Sequence, residues 1–213
     1  MKNKVIKNIL KLTFWFIICT SSVCKAQLVP SNGTPLFNKD PDLPTGTYYK
    51  DIAGDLDKFE GTWKWHRNDS IATIVLEKIE YVFFDDTQKY EDLIQGEYKF
   101  VVGGNVIQDY LSRLNDNSLV DLDHYISGNF IMHKNHYPTC DECSNSERRL
   151  FVYFIDPDYS YINAAMILRH IVDNGQEKLE ALLYSFDGFV PPTVNAPMQM
   201  RIPFGEYVFV KQD

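Results

Sequence analysis

The sequence predicts an all-β protein, an antiparallel meander closing into a barrel of about eight to ten strands. Three observations predict it. Apolar residues recur with a period of two, as on a half-buried strand: Phe59, Gly61, Trp63 and Trp65 share one face, and Glu60, Thr62, Lys64 and His66 the other. Two-residue hairpin signals separate such segments, at Gly103-Gly104-Asn105 and at Asp173-Asn174-Gly175-Gln176. Finally, no segment after residue 26 carries an apolar stripe at helical spacing, and a short helical turn around Ile52–Lys58 is the one candidate.

In chain order, the first element is an export signal over residues 1–26. Lys2, Lys4, Lys7 and Lys11 form a positive start, and Leu12–Ile18 an apolar core. Cys24-Lys25-Ala26 then offers a cleavage site before Gln27. The apolar run falls short of the ~20 residues that a membrane-spanning helix needs, and no longer run follows it, so the mature chain is expected to have no membrane span. Residues 27–47 read as an extended leader. Pro30, Pro35, Pro41 and Pro44 interrupt helix and strand alike, and a flexible spacer is expected in preference to a docked arm. The barrel domain is then expected to occupy 48–213.

Within it, residues 70–84 are rich in Ile, Val, Thr and aromatics, as strands are. Tyr98, Phe100 and Val102 alternate with Glu97, Lys99 and Val101 before the Gly103-Gly104 turn leads into Val106–Leu111. Leu150–Ile155 is a continuous apolar run ended by Asp156-Pro157-Asp158. Tyr161–Val172 and Lys178–Phe186 flank the second hairpin signal, and Phe204–Lys211 is the last strand.

Charge narrows the function. The chain carries 21 basic and 29 acidic residues, and the export segment holds five of the basic and none of the acidic. Cleavage would leave a net charge of −13. Such a balance repels nucleic acid and anionic lipid surfaces, so nucleic-acid binding is not expected.

Phe59-Glu60-Gly61-Thr62-Trp63 resembles the Gly-x-Trp start of the first strand in lipocalin-like barrels. That resemblance implies that Gly61 permits a tight turn into the strand and that Trp63 plugs the barrel end. It further implies a basic residue from a late strand over the Trp, for which Arg169 and Arg201 are candidates. The stretch from Asp92 to Phe100, read as a hairpin, the Leu150–Pro157 strand and turn, and the Ile202-Pro203 step into a C-terminal strand are similar to a family of small exported bacterial proteins. That family is known only as a domain of unknown function. The similarity spans roughly residues 56–212 and brings no catalytic residues with it.

One constellation could carry chemistry: His133, His136, Cys140 and Cys143 lie within eleven residues. Cys140 and Cys143 survive cleavage as the only cysteines, and in an oxidising compartment the pair reads first as a disulfide. A Cys₂His₂ zinc set is the alternative, since both residue types suit a tetrahedral ion. A redox dithiol is disfavoured by Asp141 and Glu142, whose charges oppose thiolate formation. Asn115, Asp116, Asn117, Asp121 and Asp123 hint at a calcium loop without its Gly and bidentate Glu. His66, His124 and His170 stand isolated, and His170 shares an apolar face with Ile162, Met166 and Leu168. Motifs for acyl-transfer nucleophiles, zinc proteases, phosphates and dinucleotides are missing, and no cofactor is expected.

Leu179, Ala181 and Leu183 alternate with Leu182, Tyr184 and Phe186, so both faces of one strand are apolar. This favours a non-enzymatic barrel that binds a small apolar ligand. A cell-envelope interaction protein using an exposed aromatic patch ranks second, and a metal-dependent site at His133–Cys143 third. The expected location is periplasmic or extracellular.

Overall fold

A computed structural model describes residues 32–116, 119, 123–186 and 188–212. The expected export segment, the start of the expected leader and much of the candidate calcium loop lie outside these residues. Eleven strands follow in chain order: β1 (Thr34–Pro35), β2 (Tyr48–Lys50), β3 (Gly61–Arg67), β4 (Ser70–Phe84), β5 (Lys89–Val102), β6 (Asn105–Asp109), β7 (Ile126–Met132), β8 (Arg149–Phe154), β9 (Ala164–Asp173), β10 (Gln176–Ser185) and β11 (Gly205–Lys211). Among the described residues there is no α-helix. Three short 3₁₀ turns lie at 57–59, 111–115 and 157–159, and the first of them overlaps the end of the predicted helical turn.

Eight strands form the barrel. β5, β4, β3, β11, β10, β9, β8 and β7 pair antiparallel in that order, and the ring closes where β7 returns to β5 through Ile94↔Gly128, Gln95↔Ser127 and Gly96↔Ile126. Closure removes the free edges that an open sheet would expose. The expected all-β meander and its closure into a barrel are therefore what the chain forms. Both predicted hairpin turns lie where the sequence puts them. Asn174 and Gly175 each take positive φ (51° and 81°), as a two-residue turn between right-twisted strands requires.

Period-two alternation sends one face of every strand inward. Trp63, Ile74, Leu76, Tyr98, Phe154 and Phe209 are fully buried in one cluster. An eight-stranded barrel has an interior just wide enough for side chains to fill it, and these large residues occupy it. At Gly96, where β5 leans on β4, an added Cβ would lie 2.2 Å from the Val75 carbonyl oxygen, so only glycine permits the approach.

Two expectations need correction. Asp92–Phe100 is not a hairpin but the middle of β5. The turn before it spans 85–88, and β4 and β5 pair from Ser70↔Val102 to Phe84↔Lys89 with a bulge between Ile79 and Val82. The described part of the leader, 32–47, is not a free spacer but a docked arm. β1 pairs in parallel with β2 and β2 with β5, Leu36 is buried, and Leu36 N donates to Lys50 O. Proline does not prevent this, because an edge strand can spare an N–H. Sequence periodicity also missed β7, whose bulge between Ser127 and Phe130 breaks the alternation.

Candidate functional site

The outward faces of β7, β8 and β10 carry rings. Phe130 pairs in register with Phe151, and Tyr153 with Ala165, which in turn pairs with Tyr184. Phe151 contacts Phe130, Tyr153 and Phe186 edge-on, with ring centroids 5.3–6.5 Å apart. Such edge-to-face packing is the favoured arrangement of aromatic quadrupoles. About half of Phe130 and of Tyr153 remains exposed, and Tyr137 is 86% exposed. Between these rings and β5 runs an open groove of about 710 Å³, floored by Leu93 and Met132. Its volume falls in the range of small-molecule sites. Burial, and secondarily the Tyr137 phenol, push the Tyr184 phenol pKa up.

One side of the groove is polar and is built partly by the docked arm. Lys39 Nζ lies 2.6 Å from Glu91 Oε2, which also accepts from Asn129 Nδ2 at 2.6 Å. Asn129 Nδ2 donates in addition to the Asp92 carbonyl at 3.0 Å. Glu91 is almost wholly buried, and the two donors offset the hydration it gives up.

The predicted His–Cys cluster forms a loop between β7 and β8. Cys140 and Cys143 are joined in a disulfide, and both are buried. The His133 and His136 rings stack at 3.7 Å. Each Nδ1 accepts a backbone N–H, His136 from His133 and His133 from Asn135, which places the proton of the neutral ring on Nε2. Burial, then His133 and Arg149, hold the His136 pKa below its ordinary value. The zinc alternative thus meets a cross-link where it needs two thiolates, and Nδ1 lone pairs already engaged. Among the described residues no group of three His, Cys, Asp or Glu is arranged to hold a metal.

Sequence reading missed what anchors this loop. Buried Arg149 donates to three of its carbonyls: Pro138 at 2.9 Å, His136 at 3.0 Å and His133 at 3.2 Å. Arg169 meets Glu147 at 2.5 Å, Glu180 at 2.9 Å and Glu142 at 3.3 Å beside a second hollow of about 450 Å³. The arginines explain why the loop sits against the barrel wall.

Gly61 and Trp63 lie together at the start of β3. Gly61 has φ 124°, a conformation other residues rarely adopt, and the fully buried Trp63 donates from Nε1 to Phe59 O at 2.9 Å. The cation over the Trp63 ring is Lys211 of β11, at 5.2 Å, and not Arg169 or Arg201. Arg201 instead joins Asp156 and stacks near Tyr159. Asp156 also accepts from Asp158 N, the turn-forming role its sequence neighbourhood suggests.

His124 is not isolated, as its sequence context suggested. Its Nδ1 lies 3.0 Å from Glu97 Oε1, which also accepts from Arg113 Nε at 3.1 Å. Glu97 is fully buried on the outer face of β5, and among the described residues its Oε2 has no hydrogen-bond partner. His170 likewise has a partner, Glu177 at 2.9 Å.

The groove, its polar wall and the filled interior together are the chemistry this fold presents: stacking and hydrogen bonding on the outside of a closed barrel. No curated protein and no solved structure matches the chain. A family of unknown function, DUF6705, matches it over residues 1–212, and the chain belongs to that family.

Proposed function

We propose that this is an exported, non-enzymatic binding module, released by cleavage before Gln27 and working in the periplasm or outside the cell. Its ligand has an apolar face and lies in the outer aromatic groove. The observation that carries this reading is the contrast between a barrel interior filled by side chains and an open groove of about 710 Å³ lined by exposed rings. A small apolar ligand inside the barrel, as in lipocalins, would need space that Trp63, Tyr98, Phe154 and Phe209 take up. The lipocalin-like part of the reading is confined to the barrel end, where Gly61, Trp63 and Lys211 suit a plug.

The test is native mass spectrometry on mature protein isolated from its own cell envelope, compared with a Tyr153→Ala variant prepared the same way. A mass beginning at Gln27, with an organic adduct that the variant loses, would support the proposal. An adduct that the variant keeps would move the site elsewhere, and a retained N-terminal segment would sink the export reading. A second reading, docking of an envelope protein on the same face, is favoured by the 86% exposure of Tyr137. It predicts a captured polypeptide in place of a small adduct.

A further inference from the structure

We infer that the outer groove is a glycan-binding cleft and that its ligand is an uncharged oligosaccharide. This rests on the groove being the binding site proposed above and names what it binds. A sugar ring carries its C–H bonds on two faces and its hydroxyls around the edge. An aromatic ring presents a negative face, which attracts those slightly positive C–H bonds. A chain of sugars is therefore best held by ring faces along its length, with hydrogen-bonding groups at its flank.

The groove has this division. Phe130 and Tyr153 stand half-exposed on adjacent strands, with Tyr184 two strands further round from Phe130's neighbour β8. Beside them, Ser127, the register partner of Tyr153, and Asn129 on β7, with Glu91 on β5, line the groove. A wholly apolar ligand would cover the half-buried Ser127 and Asn129 without replacing their water, at a cost for each. A sugar's hydroxyls would replace it.

Charge selects among sugars. Among the described residues, the groove's lining holds one cation, Lys39, which Glu91 neutralises at 2.6 Å, and Asp86 adds a further negative charge. The whole chain is acidic, with a formal charge of −8. An anionic sugar would find repulsion and no free counter-charge. Shape permits length, because the space is partly open to solvent and a ligand longer than one sugar can extend out of it.

A printed array of neutral and acidic glycans, probed with the mature protein, tests the assignment. A displacement titration with the uncharged apolar fluorophore N-phenyl-1-naphthylamine runs alongside it. Tyr153→Ala and Phe130→Ala serve as groove variants, since both side chains are half-exposed and their loss leaves the core intact. Folding of each is checked by circular dichroism. The expected result is binding to neutral oligosaccharides that weakens about tenfold or more in each variant, a loss of about 1.4 kcal/mol or more. Acidic glycans binding at least as well would overturn the charge argument, and glycan binding indifferent to both variants would place it outside the groove. Fluorophore binding, or capture of an envelope protein, that is lost in Tyr153→Ala without glycan binding would overturn the glycan assignment and leave the groove as a site. If no probe of any kind is sensitive to the variants, both readings fall.

Discussion

The Tyr48 hydroxyl donates to Asp92 Oδ1 at 2.5 Å, joining residues 44 positions apart in sequence at the point where the arm meets the barrel. Asp92 is fully buried and also accepts from Tyr81 N at 3.0 Å and Asp51 N at 2.8 Å. Burial, and then the carboxylate itself, raise the Tyr48 phenol pKa well above its ordinary value, so the phenol remains a donor. Replacing Asp92 by Ala takes the acceptor from three donors, two of them buried. The expected loss is about 3 kcal/mol, against about 1 kcal/mol for Tyr48→Phe, read from urea unfolding midpoints. Limited proteolysis should open residues 32–47 in Asp92→Ala before it touches the barrel. Equal protection of the arm in variant and parent would show that Asp92 does not hold it.

The Glu97 cluster predicts a pH dependence. Burial raises the Glu97 pKa, and hydrogen bonds from His124 and Arg113 only partly offset it. An acid whose folded pKa lies above its unfolded value binds more protons when folded. Its contribution is therefore fully present below the unfolded value, about 4.3, and is lost as pH rises through the folded value. Glu97→Gln removes that titration. The stability difference between parent and variant should shift in the variant's favour as pH rises from about 4 through the folded pKa. A difference that stays flat over that range would refute the raised pKa.

How much of this could be read from the chain alone depends on whether the signal was local. The two hairpin turns, the C-terminal strand β11 and the Gly61–Trp63 start of β3 rest on short-range signals, and the structure has them where the sequence puts them. The two apolar faces of β10 were also visible, with Leu179, Ala181 and Leu183 inward and Tyr184 and Phe186 outward. What could not be read was register. Nothing local says that Phe130, Tyr153 and Tyr184 share one face, since that depends on how three strands pair. The same holds for Lys39 meeting Glu91 across 52 residues and for Arg149 reaching back to His133. The Pro-rich arm misled because composition reports what breaks a ladder and is silent about an edge strand that needs only a few bonds.

Arg149 makes a third prediction. Its guanidinium serves carbonyls of His133, His136 and Pro138, so Arg149→Met should free this loop at a cost of about 2–3 kcal/mol. The loss of a nearby cation should also let the His136 pKa rise toward its ordinary value, because Arg149 is one of the groups that hold it down. An NMR titration of the His136 ring reads this directly. A variant whose His136 titrates as in the parent would mean that the loop keeps its position without the arginine.

The Cys140–Cys143 bridge gives the last prediction. It closes a loop with a sequence separation of three, so it restricts the unfolded chain only modestly. Chain-entropy arithmetic for so short a loop gives about 2 kcal/mol, below what a bridge across a long loop would contribute. Both sulfurs are buried, so alanine is the better replacement, because serine hydroxyls there would need partners. Cys140→Ala/Cys143→Ala should unfold at a lower urea midpoint with an unchanged slope, as expected when native burial is preserved. Intact mass should place the parent two hydrogens below its reduced form, with no metal. Retained zinc with both thiols free would overturn the cross-link and make His133, His136, Cys140 and Cys143 the set to mutate. An unchanged midpoint would mean instead that Arg149 and Arg169 already hold the loop and that the bridge adds nothing measurable to the fold.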